Sequence, residues 1–236
     1  MALSIDPALR PERLAAAFAR HGRMHVPGFL PPPEALRVGE ALAREARWRR
    51  AVNQGEKTWD LPLDQLAALS PEDQAKLDAA AHTGAAQGFQ FLFDTYRLSD
   101  EVDAGRGARD ALEEAYRFLN GEVFLSFVRA LTGDTRPAFC DAQATRYLPG
   151  HFLTAHDDDV QGKGRLYAYV LNFTPEWMPD WGGLLLFLDQ DGHVAEGYTP
   201  SFNALNIFRV PQRHTVSIVA PFARRPRLSI TGWVRA

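Results

Sequence analysis

Residues 147–158 read Tyr-Leu-Pro-Gly-His-Phe-Leu-Thr-Ala-His-Asp-Asp, and this stretch combines a turn, a strand pattern and candidate metal ligands. The turn residues Pro149 and Gly150 precede a run that is typical of a β-strand. Side chains alternate between the two faces of a strand, so His156 and Asp158 are expected to point the same way. An imidazole and a carboxylate at this spacing can bind one metal ion, but the pair alone is a weak signal because it often occurs by chance.

A third metal ligand has to come from elsewhere in the chain, and His214 is the best candidate. It follows an apolar strand predicted at 204–210 and opens another strand predicted at 215–220. Ligands at the ends of neighbouring strands converge easily in a jelly roll. The remaining histidines lie in or beside predicted helices, in a turn, or at a position that faces away from His156: His21, His25, His82, His151 and His193.

Two histidines and one carboxylate can bind zinc as well as iron. The sequence lacks the His-Glu-x-x-His motif with which zinc proteases place their ligands on a helix. A facial set of two histidines and one carboxylate with open positions suits non-haem Fe(II) and oxygen chemistry. If His156, Asp158 and His214 bind a metal ion, this pattern favours Fe(II) over zinc.

The last predicted strand carries a second chemical signal. It reads Arg227-Leu-Ser229-Ile-Thr-Gly-Trp, so Arg227 and Ser229 share one face. An arginine that faces into a β-barrel is unfavourable unless it meets an anion, and a guanidinium binds a carboxylate through two parallel hydrogen bonds. A surface arginine in one basic cluster with Arg224 and Arg225 is the alternative, and the position after His214 argues against it.

Composition and charge exclude several classes of protein. The chain has 236 residues, 23% of them charged and 46% hydrophobic, as expected for a soluble globular fold. The formal net charge of −3 offers no basic excess for nucleic acid or a membrane surface. The single cysteine, Cys140, excludes an intramolecular disulfide, a cysteine-rich zinc site and an iron–sulfur cluster. The sequence gives no indication of the oligomeric state.

The N-terminal residues lack the basic segment and apolar run of a signal peptide. No apolar run approaches the ~20 residues that span a bilayer. We therefore expect a cytoplasmic protein, in a compartment whose reducing conditions also keep iron ferrous.

Helical patterns dominate residues 1–135, which we interpret as a support region with a few strands. Ser70-Pro-Glu-Asp is a capping box with proline at the first helical position, and it predicts a helix to about His82. Other helices are predicted at 7–19, 34–48 and 99–133, and one strand at 88–98. The basic segment 44–57 is interpreted as an exposed helix end, with contact to an anionic partner as the alternative, and 54–69 is interpreted as a loop.

Short β-rich runs separated by turns dominate residues 136–236. Strands are predicted at 142–147, 166–173, 184–188, 204–210, 215–220 and 228–234. Without a regular alternation of strands and helices, a parallel α/β sheet is disfavoured. The predicted fold is mainly β with α: a double-stranded β-helix (jelly roll, cupin-like) flanked by N-terminal helices, forming one domain over 1–236.

The chain resembles the prolyl 4-hydroxylase-like branch of the Fe(II)- and 2-oxoglutarate-dependent dioxygenases, in particular the catalytic domain of ribosomal prolyl hydroxylases. The resemblance covers roughly residues 146–233. The order of five motifs carries it: Tyr147-x-x-Gly150, His156-x-Asp158, Gly182-Gly183-x-Leu185, His214-x-Val216 and Arg227-x-Ser229.

The resemblance implies that His156, Asp158 and His214 bind the iron. It also implies four contacts to 2-oxoglutarate: Arg227 would hold the distal carboxylate with Ser229 beside it, Tyr147 would contribute its phenol, and Leu185 would pack on the co-substrate.

A fifth contact to the co-substrate is expected from the strand at 166–173. Relatives often carry a tyrosine at the position that aligns with Val170. Tyr169 is the expected replacement here, with Tyr167 as the alternative, unless the contact is lost.

The reaction implied by the resemblance uses Fe(II), 2-oxoglutarate and O2, with ascorbate as a candidate reductant, and releases succinate and CO2. Asp158 favours hydroxylation, because halogenating relatives lack the carboxylate ligand. The implied product is a hydroxylated prolyl residue in a protein or peptide. Hydroxylation of a free amino acid or another small metabolite is a second reading, and a metal-binding jelly-roll sensor without turnover is a third.

Overall fold

The structure is a computed structural model that describes residues 2–107 and 109–236. Its helices are α1 (Pro11–His21), α2 (Pro32–Arg44), α3 (Leu63–Ala67), α4 (Pro71–Ala85), α5 (Leu98–Asp103), α6 (Ala111–Leu119) and α7 (Glu122–Thr132). Its strands are β1 (Arg23–Pro27), β2 (Arg49–Gln54), β3 (Lys57–Pro62), β4 (Phe91–Tyr96), β5 (Phe139–Cys140), β6 (Gln143–Tyr147), β7 (Phe152–His156), β8 (Arg165–Asn172), β9 (Leu185–Leu188), β10 (Val194–Tyr198), β11 (Ala204–Arg209), β12 (His214–Val216) and β13 (Arg227–Arg235). Among the described residues, no helix is both long enough and apolar enough to cross a membrane.

Local capping signals determine several helix ends. Ser70 accepts a hydrogen bond from the backbone N–H of Asp73 at 3.1 Å, and Pro71 takes the first helical position, so α4 begins where the capping box predicts. Helix α7 ends at Gly133, whose φ of 69° is a left-handed conformation that glycine adopts without strain. The helical region predicted at 99–133 is divided into α5, α6 and α7.

The strands form one sheet that curls into a nearly closed barrel. Its thirteen strands include the path β1-β11-β8-β13-β6-β4-β7-β12-β9-β10, while β2, β3 and β5 attach beside this path. The two outer strands meet through side chains: Arg23 of β1 forms an ion pair with Glu196 of β10 at 2.6 Å, and the rings of His25 and Tyr198 lie 5.5 Å apart. This is the mainly β architecture that the sequence predicts.

Alternate residues of strand β8 face opposite sides of the sheet. Tyr167, Tyr169 and Leu171 belong to the core between the sheet and the helices. Ala168 and Val170, at the alternate positions, line the inside of the barrel. The interior of the barrel is therefore available for a site, while the helices cover the outer face.

Aromatic rings fill the core between the helices and the sheet. The fully buried Phe29 packs edge-on against Phe118, Phe124 and Phe127, with centroid distances from 5.4 to 6.5 Å. Such pairs contribute about 0.5–1.5 kcal/mol each beyond the burial of their surface. The backbone N–H of Phe29 also donates to the carbonyl of Asn203 at 2.9 Å, which links this core to the segment that leads into β11.

The hairpin of β2 and β3 departs from the sequence-based prediction. The sequence predicts an exposed helix end at 44–57 and a loop at 54–69, and both assignments are wrong. The charged side chains of this segment interrupt the alternation of apolar and polar residues that predicts a strand. One of them, Arg50 of β2, donates a hydrogen bond from its Nε to the fully buried carboxylate of Asp94 at 2.7 Å. The hairpin extends the sheet next to β4, so residues before 135 help to build the barrel.

Candidate metal and co-substrate site

Two of the predicted metal ligands lie side by side on paired strands. His156 is the last residue of β7, His214 is the first residue of β12, and the two are directly opposite each other in the antiparallel register. Their ring centroids are 4.1 Å apart. Strand pairing alone therefore brings the two imidazoles together.

Asp158 reaches the same point by a different route from the one predicted. Strand β7 ends at His156, and Asp158 has a φ of 65°, so the alternation of an extended strand does not apply to it. This left-handed turn aims the carboxylate back at both imidazoles, each of whose Nε2 atoms lies 3.4 Å from a carboxylate oxygen. The donor atoms of His156, Asp158 and His214, called here the His-Asp-His triad, all lie within 4.8 Å of one another.

Backbone carbonyls orient both imidazoles of the triad. The Nδ1 of His156 lies 2.9 Å from the carbonyl oxygen of Thr154, and the Nδ1 of His214 lies 2.8 Å from that of Gln212. A carbonyl can only accept, so each Nδ1 carries the proton and donates it. Each Nε2 then keeps its lone pair toward the centre of the triad, as a metal ligand requires.

The charge states of the triad also suit a cation. Burial, reinforced by the neighbouring His156, lowers the pKa of His214 to about 4, so this imidazole is neutral at neutral pH. Burial alone would raise the pKa of Asp158, but the interactions of its carboxylate with the imidazoles of His156 and His214 outweigh burial and leave that pKa lowered. A neutral imidazole and a carboxylate are the forms that bind metals.

Arg227 is a buried guanidinium with no anionic partner among the described residues. It is 2% exposed, and its Nε makes no hydrogen bond within the described part of the chain. Its guanidinium carbon lies 5.0 Å from the centroid of the Tyr147 ring, and burial lowers its pKa. An arginine left in this state is costly, so its position indicates a bound anion.

One cavity of about 540 Å³ inside the barrel connects Arg227 to the triad. Ser229, Tyr147 and Leu185 also line it, as do β4 residues such as Phe93. Tyr147 stacks on Phe93 with centroids 5.1 Å apart, and the Ser229 hydroxyl lies 2.7 Å from the Thr145 hydroxyl. All but one of the site residues proposed from the sequence therefore meet in this cavity.

Tyr169 is the exception, and its predicted contact with the co-substrate is wrong. It lies on the helix-facing side of β8, where its hydroxyl donates to the carbonyl of Asp141 at 2.7 Å and its ring packs on Phe124 at 5.9 Å. Tyr167 has the same parity and donates to Asp134 at 3.1 Å, so the alternative is wrong as well. The cavity-facing position between them is Ala168, and Val170 follows on the same face.

Arg165 and Trp233 are among the cavity residues that the sequence-based prediction missed. Arg165 opens β8 and its guanidinium carbon lies 3.5 Å from the centroid of the Trp233 ring. Trp233 shares the parity of Arg227 and Ser229 along β13, and this signal was sufficient to place it on the cavity face. Nothing in the sequence around Arg165 distinguishes it from an exposed arginine at a strand end.

Comparison with known proteins gives matches of sequence and of fold. Residues 142–235 match the sequence profile of the 2OG-Fe(II) oxygenase superfamily. The mouse (Mus musculus) prolyl 3-hydroxylase OGFOD1 is 30% identical over 147 residues, which cover 59% of this chain and 26% of the mouse protein. The chain thus spans about a quarter of the length of the curated relatives it matches.

Solved structures share the fold at low sequence identity. A prolyl-4-hydroxylase from Pseudomonas putida superposes with a TM-score of 0.60 at 20% identity, over 95% of this chain and 98% of that one. A prolyl hydroxylase from Trichoplax adhaerens, solved with a peptide fragment of hypoxia inducible factor, gives 0.61 at 16% identity, over 95% and 90%. Together with the sequence match, they confirm the predicted jelly-roll fold and the predicted resemblance.

Proposed function

We propose that this prolyl-hydroxylase-like 2OG-Fe(II) oxygenase hydroxylates prolyl residues of a polypeptide, consuming 2-oxoglutarate and O2 and releasing succinate and CO2. One observation carries the proposal: the guanidinium of Arg227, which has no anionic partner among the described residues, lies in the same cavity as the His-Asp-His triad. A metal site next to an unsatisfied buried cation suits a co-substrate that chelates the metal at one end and carries a carboxylate at the other.

The triad fits Fe(II). Two imidazoles and one carboxylate form the donor set that non-haem iron enzymes of this kind use, and three protein ligands leave coordination positions for the co-substrate and for oxygen. The Nδ1 hydrogen bonds of His156 and His214 hold each ring in the tautomer that presents Nε2. We therefore assign His156, Asp158 and His214 as the iron ligands.

Arg227 and its neighbours fit 2-oxoglutarate. The distal carboxylate would pair with the guanidinium of Arg227, with the Ser229 hydroxyl beside it on the same face of β13. Tyr147 would offer its phenol to the same co-substrate, because its ring already packs over Arg227. Leu185, 2% exposed, would supply an apolar wall.

The bound iron and co-substrate would supply oxygen activation coupled to oxidative decarboxylation of 2-oxoglutarate. The chain itself binds and orients these groups through its side chains and its backbone. Arg227 fixes the co-substrate by its far end, the backbone carbonyls of Thr154 and Gln212 orient the two imidazoles, and the stacked rings of Tyr147 and Phe93 exclude water from the deep part of the cavity.

A polypeptide substrate is supported by the open side of the cavity. Its lining reaches Thr58 on the β2–β3 hairpin and the exposed apolar side chains of Phe89 and Val160. The ring of Phe89 is half exposed and lies 5.5 Å from that of His156. A prolyl ring entering between these apolar groups would approach the metal, and the names of the related hydroxylases agree with this substrate. A cytoplasmic location is part of the same proposal.

Turnover with labelled 2-oxoglutarate tests the proposal. The protein is incubated with Fe(II), ascorbate, O2 and a library of proline-containing peptides, and succinate and peptide mass are measured together. We expect succinate release that matches the gain of one oxygen atom on a proline, and loss of both in an Arg227→Met variant but not in Arg224→Met. Coupled oxidation of a free amino acid, with no peptide oxidised, would overturn the polypeptide assignment.

A further inference from the structure

We propose that Arg165 is a positioning residue, which holds Asp158 in its left-handed backbone conformation and so keeps the carboxylate aimed at both imidazoles. The inference rests on the proposed function, because it takes His156, Asp158 and His214 as metal ligands. It concerns how the third ligand is held in place, which strand pairing does not explain.

The need for such a residue comes from the backbone of Asp158. Its φ of 65° is a conformation that side chains other than glycine rarely adopt, although aspartate tolerates it better than most. The histidine ligands are fixed by the pairing of β7 with β12, whereas Asp158 lies outside any strand. Without a restraint, the segment after His156 would also populate extended conformations that turn the carboxylate away.

Arg165 provides the restraint through the backbone. Its Nη1 donates a hydrogen bond to the carbonyl oxygen of Asp158 at 3.1 Å, and the same nitrogen lies 3.9 Å from the Oδ1 of that residue. One guanidinium thus contacts both the main chain and the side chain of the ligand. No other carboxylate among the described residues lies within ion-pair distance of Arg165.

Arg165 is itself held in place. Its guanidinium carbon lies 3.5 Å from the centroid of the Trp233 ring, and its side chain is only 17% exposed. Arg165 and Trp233 lie on the paired strands β8 and β13, so the rigid sheet carries both. The restraint on Asp158 is therefore transmitted from the sheet through a planar group stacked on an aromatic ring.

Electrostatics predicts the opposite effect of Arg165 on metal binding. A positive charge 3.9 Å from a ligand oxygen repels an incoming cation, so removing it would tighten binding if charge were its only influence. If positioning dominates, removing it weakens binding. Mutation of a residue that orients a metal ligand typically lowers metal affinity by roughly 10- to 100-fold. The direction of the change in affinity therefore distinguishes positioning from charge repulsion.

The test is the affinity of the metal-free full chain for Mn(II), measured by titration in the absence of 2-oxoglutarate and oxygen. Arg165→Met keeps most of the apolar length but removes the donors, and we expect it to weaken Mn(II) binding at least roughly tenfold. Arg165→Lys keeps the charge and a donor, and we expect a partial rescue. Arg235→Met is the matched control, because Arg235 lies opposite Arg165 across the two strands and pairs with Asp141 instead.

A second pair of variants isolates the stacking. Trp233→Leu removes the platform under the guanidinium while Trp233→Phe keeps a ring, so we expect weaker Mn(II) binding in the first than in the second. Thermal unfolding of the metal-free variants shows whether each one folds. Failure of the wild-type chain to bind Mn(II) would reject the proposed metal site. Wild-type binding with an unchanged or tighter affinity in folded Arg165→Met would reject the positioning role alone, as would an effect confined to the KM for the peptide.

Discussion

His214 lies directly opposite His156 across the paired strands β7 and β12, and the centroids of their rings are 4.1 Å apart. Two imidazoles this close cannot both be protonated at low cost, because their positive charges would repel each other at short range. The lowered pKa of His214, caused by burial and by the neighbouring His156, reflects this. The pair is instead arranged to share a cation.

Metal binding should stabilise the folded chain, because the unfolded chain does not bring the triad together. At a hundredfold excess over its dissociation constant, Mn(II) should add about 2.7 kcal/mol to the free energy of unfolding. His214→Gln should abolish this increase, whereas His193→Gln, at an exposed turn outside the cavity, should retain it. Thermal unfolding with and without Mn(II) makes the measurement, and an equal response of both variants would contradict the assignment.

Arg227 should lower the stability of the folded chain when no 2-oxoglutarate is bound, although it is needed to bind 2-oxoglutarate. Replacing a buried charge that has no ion-pair partner by an apolar side chain of similar length removes the cost of taking that charge out of water. Arg227→Met should therefore be at least as stable as the wild type to urea in the absence of 2-oxoglutarate, and should lose all stabilisation by 2-oxoglutarate in the presence of Mn(II). If that variant still responds to 2-oxoglutarate, the carboxylate lies elsewhere.

Two buried tyrosines should respond differently to loss of their hydroxyls. Tyr147→Phe should weaken 2-oxoglutarate binding by roughly 10- to 100-fold, as expected for a hydrogen bond to a charged group. Tyr169→Phe should leave that affinity unchanged and cost about 0.5–1.5 kcal/mol of stability, because its hydroxyl donates to the Asp141 carbonyl on the helix side. Calorimetric titration and urea unfolding on the same samples check both expectations.

Acid should destabilise the fold through buried histidines. Burial, with Arg50 nearby, lowers the pKa of His151 to about 4 from its ordinary 6.5, so folding favours the neutral ring. The folded-state pKa is the lower one. The stability is therefore fully present above pH 6.5 and is lost as the pH falls toward 4, by up to about 3 kcal/mol for this group.

His151→Leu should reduce the dependence of stability on pH in this window, and His193→Leu should not. His214 also has a lowered pKa, so its protonation destabilises the fold in the same pH window. The metal-free wild type, which keeps both histidines, should therefore lose more stability on acidification than His151→Leu. Urea unfolding of the metal-free proteins at several values of pH between 4 and 7 provides the measurement. Parallel curves for the wild type and His151→Leu would mean that His151 is not titrated on unfolding in this range.

The positions of strand ends and the alternation of side chains along strands predict much of the site. His214 is predicted to lie close to His156 because ligands at the ends of neighbouring strands converge, and Arg227 and Ser229 are predicted to share one face because they are two residues apart on a strand. The first prediction depends on where the apolar runs of the sequence end, and the second depends only on the two-residue period of a strand. The resemblance to known oxygenases then supplied the chemistry of the co-substrate.

The rest could not be predicted because it depends on single backbone angles or on pairing. The carboxylate of Asp158 points at the two histidines because its backbone is left-handed, and no pattern in the sequence predicts that conformation. Tyr169 was misplaced because a shift of one residue along β8 exchanges the two faces of the sheet, and both faces of β8 are largely buried. The role of Arg165 could not be predicted, because its contacts with the Trp233 ring and the Asp158 carbonyl arise only in the folded chain.

We expect one cavity to bind a metal through the triad and 2-oxoglutarate through Arg227. The decisive measurement is calorimetric titration of 2-oxoglutarate into the anaerobic protein, with and without Mn(II). Binding should be much tighter with the metal present and should be lost in both His214→Gln and Arg227→Met. Equal affinity with and without the metal, or an undiminished affinity in Arg227→Met, would contradict this expectation.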